Sequence, residues 1–221
     1  MTSPLDVAEA VRRQVALRSR VDTASSLAGP PKLVAGLDVS YEIGTQRVAA
    51  AAVVIELQTF EVRESAIAHG EVTFPYVPGL LAFREVPILQ EVLGKLVCRP
   101  EVLVCDGYGI AHPRRFGLAC HVGVLTGLPS FGVAKSPFTA TFVEPGPRRG
   151  DWSPLSEGGE ILGRVLRTQS EIRPVFVSVG HRIGLDQATD LTLTLSREYR
   201  IPEAIRKADS LSREALRKTR E

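Results

Sequence analysis

The apolar positions of this chain switch between helical and strand spacing, and the switches divide it into elements. Residues 4 to about 19 carry helical spacing, with Thr2 or Ser3 as N-cap, Pro4 at the first helical position and acidic residues ahead of basic ones. After a loop that closes on Pro30-Pro31, three β-rich runs follow: Leu33 to Tyr41, Arg47 to Glu56 and Phe60 to His69. Their short connections predict antiparallel neighbours. VTFPYVPG then reads as a proline-stiffened loop, and Leu80 to Val97 as a helix whose first turns Pro87 should end or kink. Val102 to Cys105 is short, continuous and β-branched, a buried strand. Beyond it the pattern predicts a helix over Arg114 to Thr126, a strand over Pro129 to Ala134 and a loop from Lys135 to Gly150. Strands over Ile161 to Arg167 and Pro174 to Val179 follow, then helices over Leu185 to Tyr199 and Pro202 to Lys218.

That order predicts an α/β fold with a ribonuclease-H-like mixed sheet: three antiparallel strands, then alternating helices and parallel strands, flanked by helices. A right-handed crossover through the residue 80 to 97 helix would set the first strand parallel to the fourth. No Ser/Gly/Pro-rich linker divides the 221 residues, so one domain is expected.

Composition changes this picture little. A net charge of +2 does not by itself make a nucleic-acid binder, so the local clusters carry more weight: Arg12-Arg13, Arg114-Arg115, Arg148-Arg149 and the run from Arg206 to Arg220. Each is either a contact surface or a solvated face. Three cysteines without C-x-x-C spacing suit reduced thiols. The N-terminus lacks the basic start and apolar core of a signal peptide, and the longest apolar run, Val48 to Ile55, is too short to cross a bilayer. A soluble, cytoplasmic, monomeric protein with no membrane partner is the expectation.

Candidate chemistry gathers on Asp106, which ends a buried strand at the edge where open α/β sheets place ligands. Gly107 and Gly109 let the backbone approach a ligand, His112 is an acid/base group or a loop hydrogen-bonder, and Arg114-Arg115 offer fixed charges for phosphate. Asp38 lies in the first strand among core residues. If strands one and four are adjacent, the two carboxylates stand about 4 Å apart and repel by roughly 4 kcal/mol at an effective dielectric of 20, so a cation or a shared proton is needed. Glu85, on the linking helix, is a third acid. Hard oxygen ligands without a His/Cys cluster favour magnesium, with manganese as substitute. Asp186 is either a fourth metal ligand or a helix-start acid, with Asp190 and His181 as the next candidates. Lys135, directly after a strand, either touches phosphate or is a loop lysine.

GLDVS at 36 to 40, PYVPGLLAFRE at 75 to 85, DGYGIAHPRRFG at 106 to 117, GVAKS at 132 to 136 and GHRIGLD at 180 to 186 together resemble the motif series of the endonuclease V family, in order over about residues 33 to 218. The resemblance implies a magnesium-dependent endonuclease that initiates repair of deaminated DNA. It would cut the second phosphodiester on the 3′ side of a hypoxanthine, in DNA or RNA, and leave a 5′-phosphate. It implies Asp38, Glu85 and Asp106 as metal-binding acids and Lys135 beside the scissile phosphate. Pro75, Tyr76, Val77 and Pro78 would be the wedge that fills the gap left by the flipped base, which would lie among Gly79, Leu81, Gly107, Gly109 and His112. Tyr108 and Arg114 are counted with the substrate-binding residues, although many bacterial relatives carry His where this chain has Tyr108, so the resemblance gives its side chain no specific role. A structure-specific ribonuclease-H-like nuclease and an inactive nucleic-acid-binding module are the alternatives.

Overall fold

The computed structural model describes residues 6–218. Its elements are α1 (Val7–Arg18), β1 (Leu33–Tyr41), β2 (Arg47–Glu56), β3 (Val62–Glu71), α2 (Ala82–Gly94), β4 (Val102–Asp106), α3 (Leu118–Thr126), β5 (Ser130–Ala134), β6 (Thr141–Phe142), β7 (Trp152–Glu157), β8 (Glu160–Leu166), β9 (Val175–His181), α4 (Leu185–Leu195) and α5 (Glu203–Lys218). The strands form one sheet in the order β3-β2-β1-β4-β5-β9-β8-β7-β6. β1, β2 and β3 are antiparallel neighbours, and β4 joins β1 in parallel, as the spacing predicts. The mixed sheet flanked by helices has the ribonuclease-H-like arrangement.

The sheet is covered on both faces, which is why β2 reads RVAAAAVVIE without alternation. Val34, Val53, Val104 and Val133 pack with α4 and α5 on one side; Ala35, Leu37, Leu103 and Cys105 pack with α2 and α3 on the other. α5 lies close on β1 because Gly36 has no side chain. A Cβ there would sit 2.1 Å from the carbonyl carbon of Ala204. This contact sets the height of α5 over the strand that carries Asp38, two residues on and on the same face.

Four expectations differ from the structure. The helix of residues 114 to 126 starts only at Leu118, because Arg115 has a left-handed backbone (φ 55°) and Gly117 is the extended N-cap. The helix around Pro87 runs unbroken from Ala82 to Gly94, with Pro87 exposed while Phe83, Val86, Leu89 and Val92 bury the other face. Asp6 caps α1 by accepting from the Glu9 N–H at 2.8 Å; the expected cap at Thr2 or Ser3 and Pro4 lie outside the described residues.

The fourth difference matters most for the site. Only β4 and β5 extend the parallel set, and β9 runs antiparallel to β5. β7 and β8 are joined by the two-residue turn Gly158-Gly159, with φ values of 60° and 82°. Two positive φ values in a row suit glycine and define the hairpin turn that matches strand twist. β8 then returns antiparallel to β9, so that the C-terminal end of β9 meets Ser130 at the start of β5.

Gly36→Ala should lower stability by about 3 kcal/mol, since the methyl group meets backbone that cannot rotate away. Urea unfolding with an unchanged midpoint would show that α5 does not approach β1 this closely.

Candidate active site

Parallel pairing of β1 and β4 matches Leu37 with Cys105, so Asp38 and Asp106, one residue further, stand side by side at about the 4.8 Å strand spacing. Asp38 accepts from Ser212 Oγ of α5 at 3.0 Å, and that hydroxyl lies 2.7 Å from Ser40 Oγ. Burial, reinforced by the Asp106 charge, pushes the Asp38 carboxyl up to about 6. Asp106 accepts from Lys135 Nζ at 2.5 Å, which brings the lysine after β5 to the strand end of β4. Glu85 projects from the first turn of α2, 7% exposed, and accepts from the Tyr41 hydroxyl at 2.9 Å. Burial pushes its carboxyl up to about 8, and the charges of Asp38 and Asp106 add to the rise.

Asp38, Asp106 and Lys135 from the sheet line a cavity of about 620 Å³ with Asp209, Arg213 and Arg217 from α5, while Glu85 lies behind it on Tyr41, which also borders the cavity. Asp209 is the acid that the sequence reading missed. Its charge helps to raise Asp38, and its only sequence signal is its spacing three residues before Ser212, on the face that packs toward β1.

Asp186 is not with them. It starts α4, which follows the antiparallel β9, and is therefore carried to the opposite end of the sheet from Asp106 and Lys135. It is 82% exposed and paired with Arg164, which stacks on the Trp152 ring at 3.9 Å. The expectation that Asp186 joins the metal acids is corrected by strand direction, and the same reason removes the next candidates. His181 accepts from the Asp22 N–H at 3.1 Å beside Ser130, and Asp190 borders a separate hollow with Pro30 and Pro31.

A second, smaller cavity of about 180 Å³ adjoins the first. Tyr76, Val77, Pro78, Gly79 and Leu81 form one wall, and Gly107, Tyr108, His112 and Phe138 another. Pro75 and Gly109 stay outside it. Pro75 lies by Phe74 and Arg84, whereas Gly109 is needed for packing, since a Cβ there would sit 1.9 Å from the Val179 carbonyl oxygen. His112 is buried and neutral: burial, with the nearby Arg114 charge, lowers it to about 4. Its Nδ1 accepts from the Arg114 N–H at 3.1 Å, so Nε2 carries the hydrogen and donates to Gly79 O at 3.0 Å. A histidine so committed is a wall and not an acid/base group.

The two arginines expected on phosphate are also spent internally. Arg114 donates to Gly79 O and to Gln14, and Arg115 pairs with Glu157 and Glu160. Tyr108, left without a role by the resemblance, donates its hydroxyl to Ser136 O at 2.9 Å and meets Phe138 edge to face at 5.4 Å, which ties down the loop after Lys135. Arg149 donates to Leu193 O and Ser196 O at the end of α4.

With this geometry in place, comparison with known proteins gives one answer. A family model described as Endonuclease V matches residues 15–210. Endonuclease V of Nocardia farcinica is 52% identical over 217 residues, covering 98% of this chain and 96% of its own. The crystal structure of Endonuclease V from Streptomyces avermitilis superposes with a TM-score of 0.95 at 53% identity, over 99% of this chain and 96% of that one. Endonuclease V of Ciona intestinalis, in complex with a 24mer DNA containing an inosine followed by a ribo-adenosine, superposes with a TM-score of 0.83 at 29% identity, over 96% and 98% of the two chains. The chain therefore belongs to the endonuclease V family, a family of nucleases.

Proposed function

We propose that this protein is a magnesium-dependent endonuclease that recognises hypoxanthine in a nucleic-acid strand and hydrolyses the second phosphodiester bond on its 3′ side. In this reading it initiates repair of deaminated DNA as a cytoplasmic, single-domain monomer, with inosine-bearing RNA as a further substrate. The observation that carries it is the adjacency of the two cavities, since Asp106 borders the acidic one while Gly107 and Tyr108, next in sequence, border the small one. A base held in the small cavity leaves the backbone that follows it to cross the acids. At about 180 Å³ the small cavity falls below the range for drug-sized ligands, which suits one planar heterocycle. It also opens at the start of α2, which no side chain caps.

As they stand, each of the three carboxylates is held by a protein donor, and among the described residues no three His, Cys, Asp or Glu side chains enclose an ion site. The set still fits a hard divalent cation, because it is all oxygen, half-buried or buried and mutually repelling, and the backbone already sets Asp38 and Asp106 together. Asp38, Asp106 and Glu85 would hold magnesium, or manganese in its place, with Asp209 facing them. When bound, the metal supplies Lewis-acid stabilisation and an activated water for an in-line displacement. Lys135 offers its ammonium to the scissile phosphate. Tyr76, 70% exposed at the rim of the small cavity, is placed to fill the stack that the flipped base leaves.

Asp38→Ala and Asp106→Ala should each abolish magnesium-dependent nicking of an inosine strand, whereas Asp186→Asn should leave the magnesium titration unchanged. Nicking by either alanine variant would remove the acids from the mechanism, and a right-shifted titration for Asp186→Asn would return that residue to it.

A pH dependence follows from the raised carboxyl of Glu85. A raised acid stabilises the fold while protonated, and the contribution is lost as pH climbs through the folded value. His112 and His121 oppose this trend only below their ordinary range near 6.5. Between pH 6.5 and 8 the metal-free protein should therefore lose on the order of 1 to 3 kcal/mol of stability, and magnesium should flatten the slope. Parallel slopes with and without magnesium in thermal denaturation would contradict a cation at these acids.

Tyr76→Ala should weaken inosine discrimination more in duplex than in single strands, by about 1 to 3 kcal/mol of lost stacking. Equal losses on the two substrates, measured as ratios of kcat/KM, would rule the wedge out.

A further inference from the structure

Three side-chain donors from different parts of the chain converge on one backbone oxygen, the carbonyl of Gly79. Gln14 Nε2 of α1 donates at 3.0 Å, His112 Nε2 at 3.0 Å and Arg114 Nη2 at 2.8 Å. A carbonyl oxygen has two lone pairs, so a third donor, here a charged one, marks a site built beyond ordinary satisfaction. The peptide that carries this oxygen also carries the Leu80 N–H, which donates to Val77 O at 2.9 Å. Val77-Pro78-Gly79-Leu80 is thus a tight turn with Pro at its second position and Gly at its third, where φ is 81°. Donors on one end of a peptide polarise it and strengthen the bond at the other end.

The third position demands glycine twice over, because a Cβ would be strained at that φ and would sit 2.7 Å from Arg114 Nη2. Gln14 is 1% exposed, and its second carbonyl partner is Phe116 at 2.7 Å, on the opposite wall of the small cavity. Its Oε1 accepts from Arg114 Nε. One side chain of the N-terminal helix therefore spans the floor of the cavity, from the wedge turn to the loop after Asp106.

We infer that Gln14, with Arg114, is a positioning residue for base recognition: the two hold the wedge turn against the Gly107–Phe116 loop and so fix the width of the cavity that receives the flipped base. This rests on the reading of that cavity as the base site. Neither residue faces Asp38, Asp106 or Lys135, so the clamp acts on which base is accepted and how tightly, not on bond breaking. A cavity whose walls are free to part accepts other unpaired or mismatched bases and holds hypoxanthine less well.

The test separates positioning from packing. Gln14→Glu keeps shape and an acceptor for Arg114 but cannot donate to Gly79 O or Phe116 O, Gln14→Ala removes both functions, and Arg114→Lys leaves one donor. Steady-state nicking would be measured on strands carrying inosine, uracil or a normal base mismatch, with thermal denaturation of each variant. The expected result for Gln14→Glu is a KM for the inosine strand raised about tenfold, a kcat changed far less, and a ratio of inosine to mismatch cleavage lowered about tenfold. Arg114→Lys should fall between it and the parent. If Gln14→Glu melts lower but keeps the parent's KM and ratio, or if kcat alone falls, the clamp is packing only and the inference is overturned. Should Gln14→Glu not fold, Arg114→Lys carries the same comparison, and an unchanged ratio there overturns it equally. A parent protein that shows no preference for inosine would instead refute the proposed function, which keeps the two failures distinct.

Discussion

Two like charges held side by side are the constraint on which the rest of the site depends. Parallel pairing of β1 with β4 leaves Asp38 and Asp106 no freedom to separate by backbone movement, and the buried Glu85 adds a third carboxylate at the same edge. The protein lowers the cost with neighbours: Lys135 on Asp106, Ser212 on Asp38 and Tyr41 on Glu85. Only the first of these carries a positive charge, so the carboxyls of Asp38 and Glu85 stay above their ordinary range. A site that is costly for the protein alone is one whose energy a cation can lower, and its location follows from the strand order.

The helix that completes this edge is held by absence of a side chain. Gly36 lets α5 rest on β1, and Asp209 and Ser212 are thereby brought over Asp38. The acidic cavity thus draws on the first strand and the last helix of the chain, segments far apart in sequence. Its other borders come from the ends of β4 and β5, so that four elements fix one edge.

Several arginines of this protein work as internal scaffolding. Arg114 ties the wedge turn, Arg115 is bound to Glu157 and Glu160 on the β7–β8 hairpin, Arg149 closes the end of α4 and Arg167 donates to Gly146 O, Pro145 O and Glu144. A guanidinium has five donors in a fixed fork, which lets one side chain satisfy several loop carbonyls at once. Arg213 and Arg217 instead border the acidic cavity.

The sequence by itself determined the pairing of β1, β2, β3 and β4, because β-rich runs with short connections and one helical crossover leave few alternatives. It also determined that Asp38 and Asp106 meet, since a right-handed crossover puts the two strand ends together. The two walls of the small cavity were implied only by the resemblance of PYVPG and DGYGIAH to the family's motifs, and of the residues so named Pro75 and Gly109 lie outside it. What only the tertiary structure decided has one of two physical causes. Asp186, His181 and Asp190 lie away from the site because β9 is antiparallel to β5, a direction that the local pattern of β9 does not convey. Asp209, Gln14, Arg114 and Arg115 owe their roles to contacts between segments distant in sequence. Spacing along the chain fixes which face an element buries; which charge or carbonyl that face then meets depends on the packing of the whole sheet and its helices.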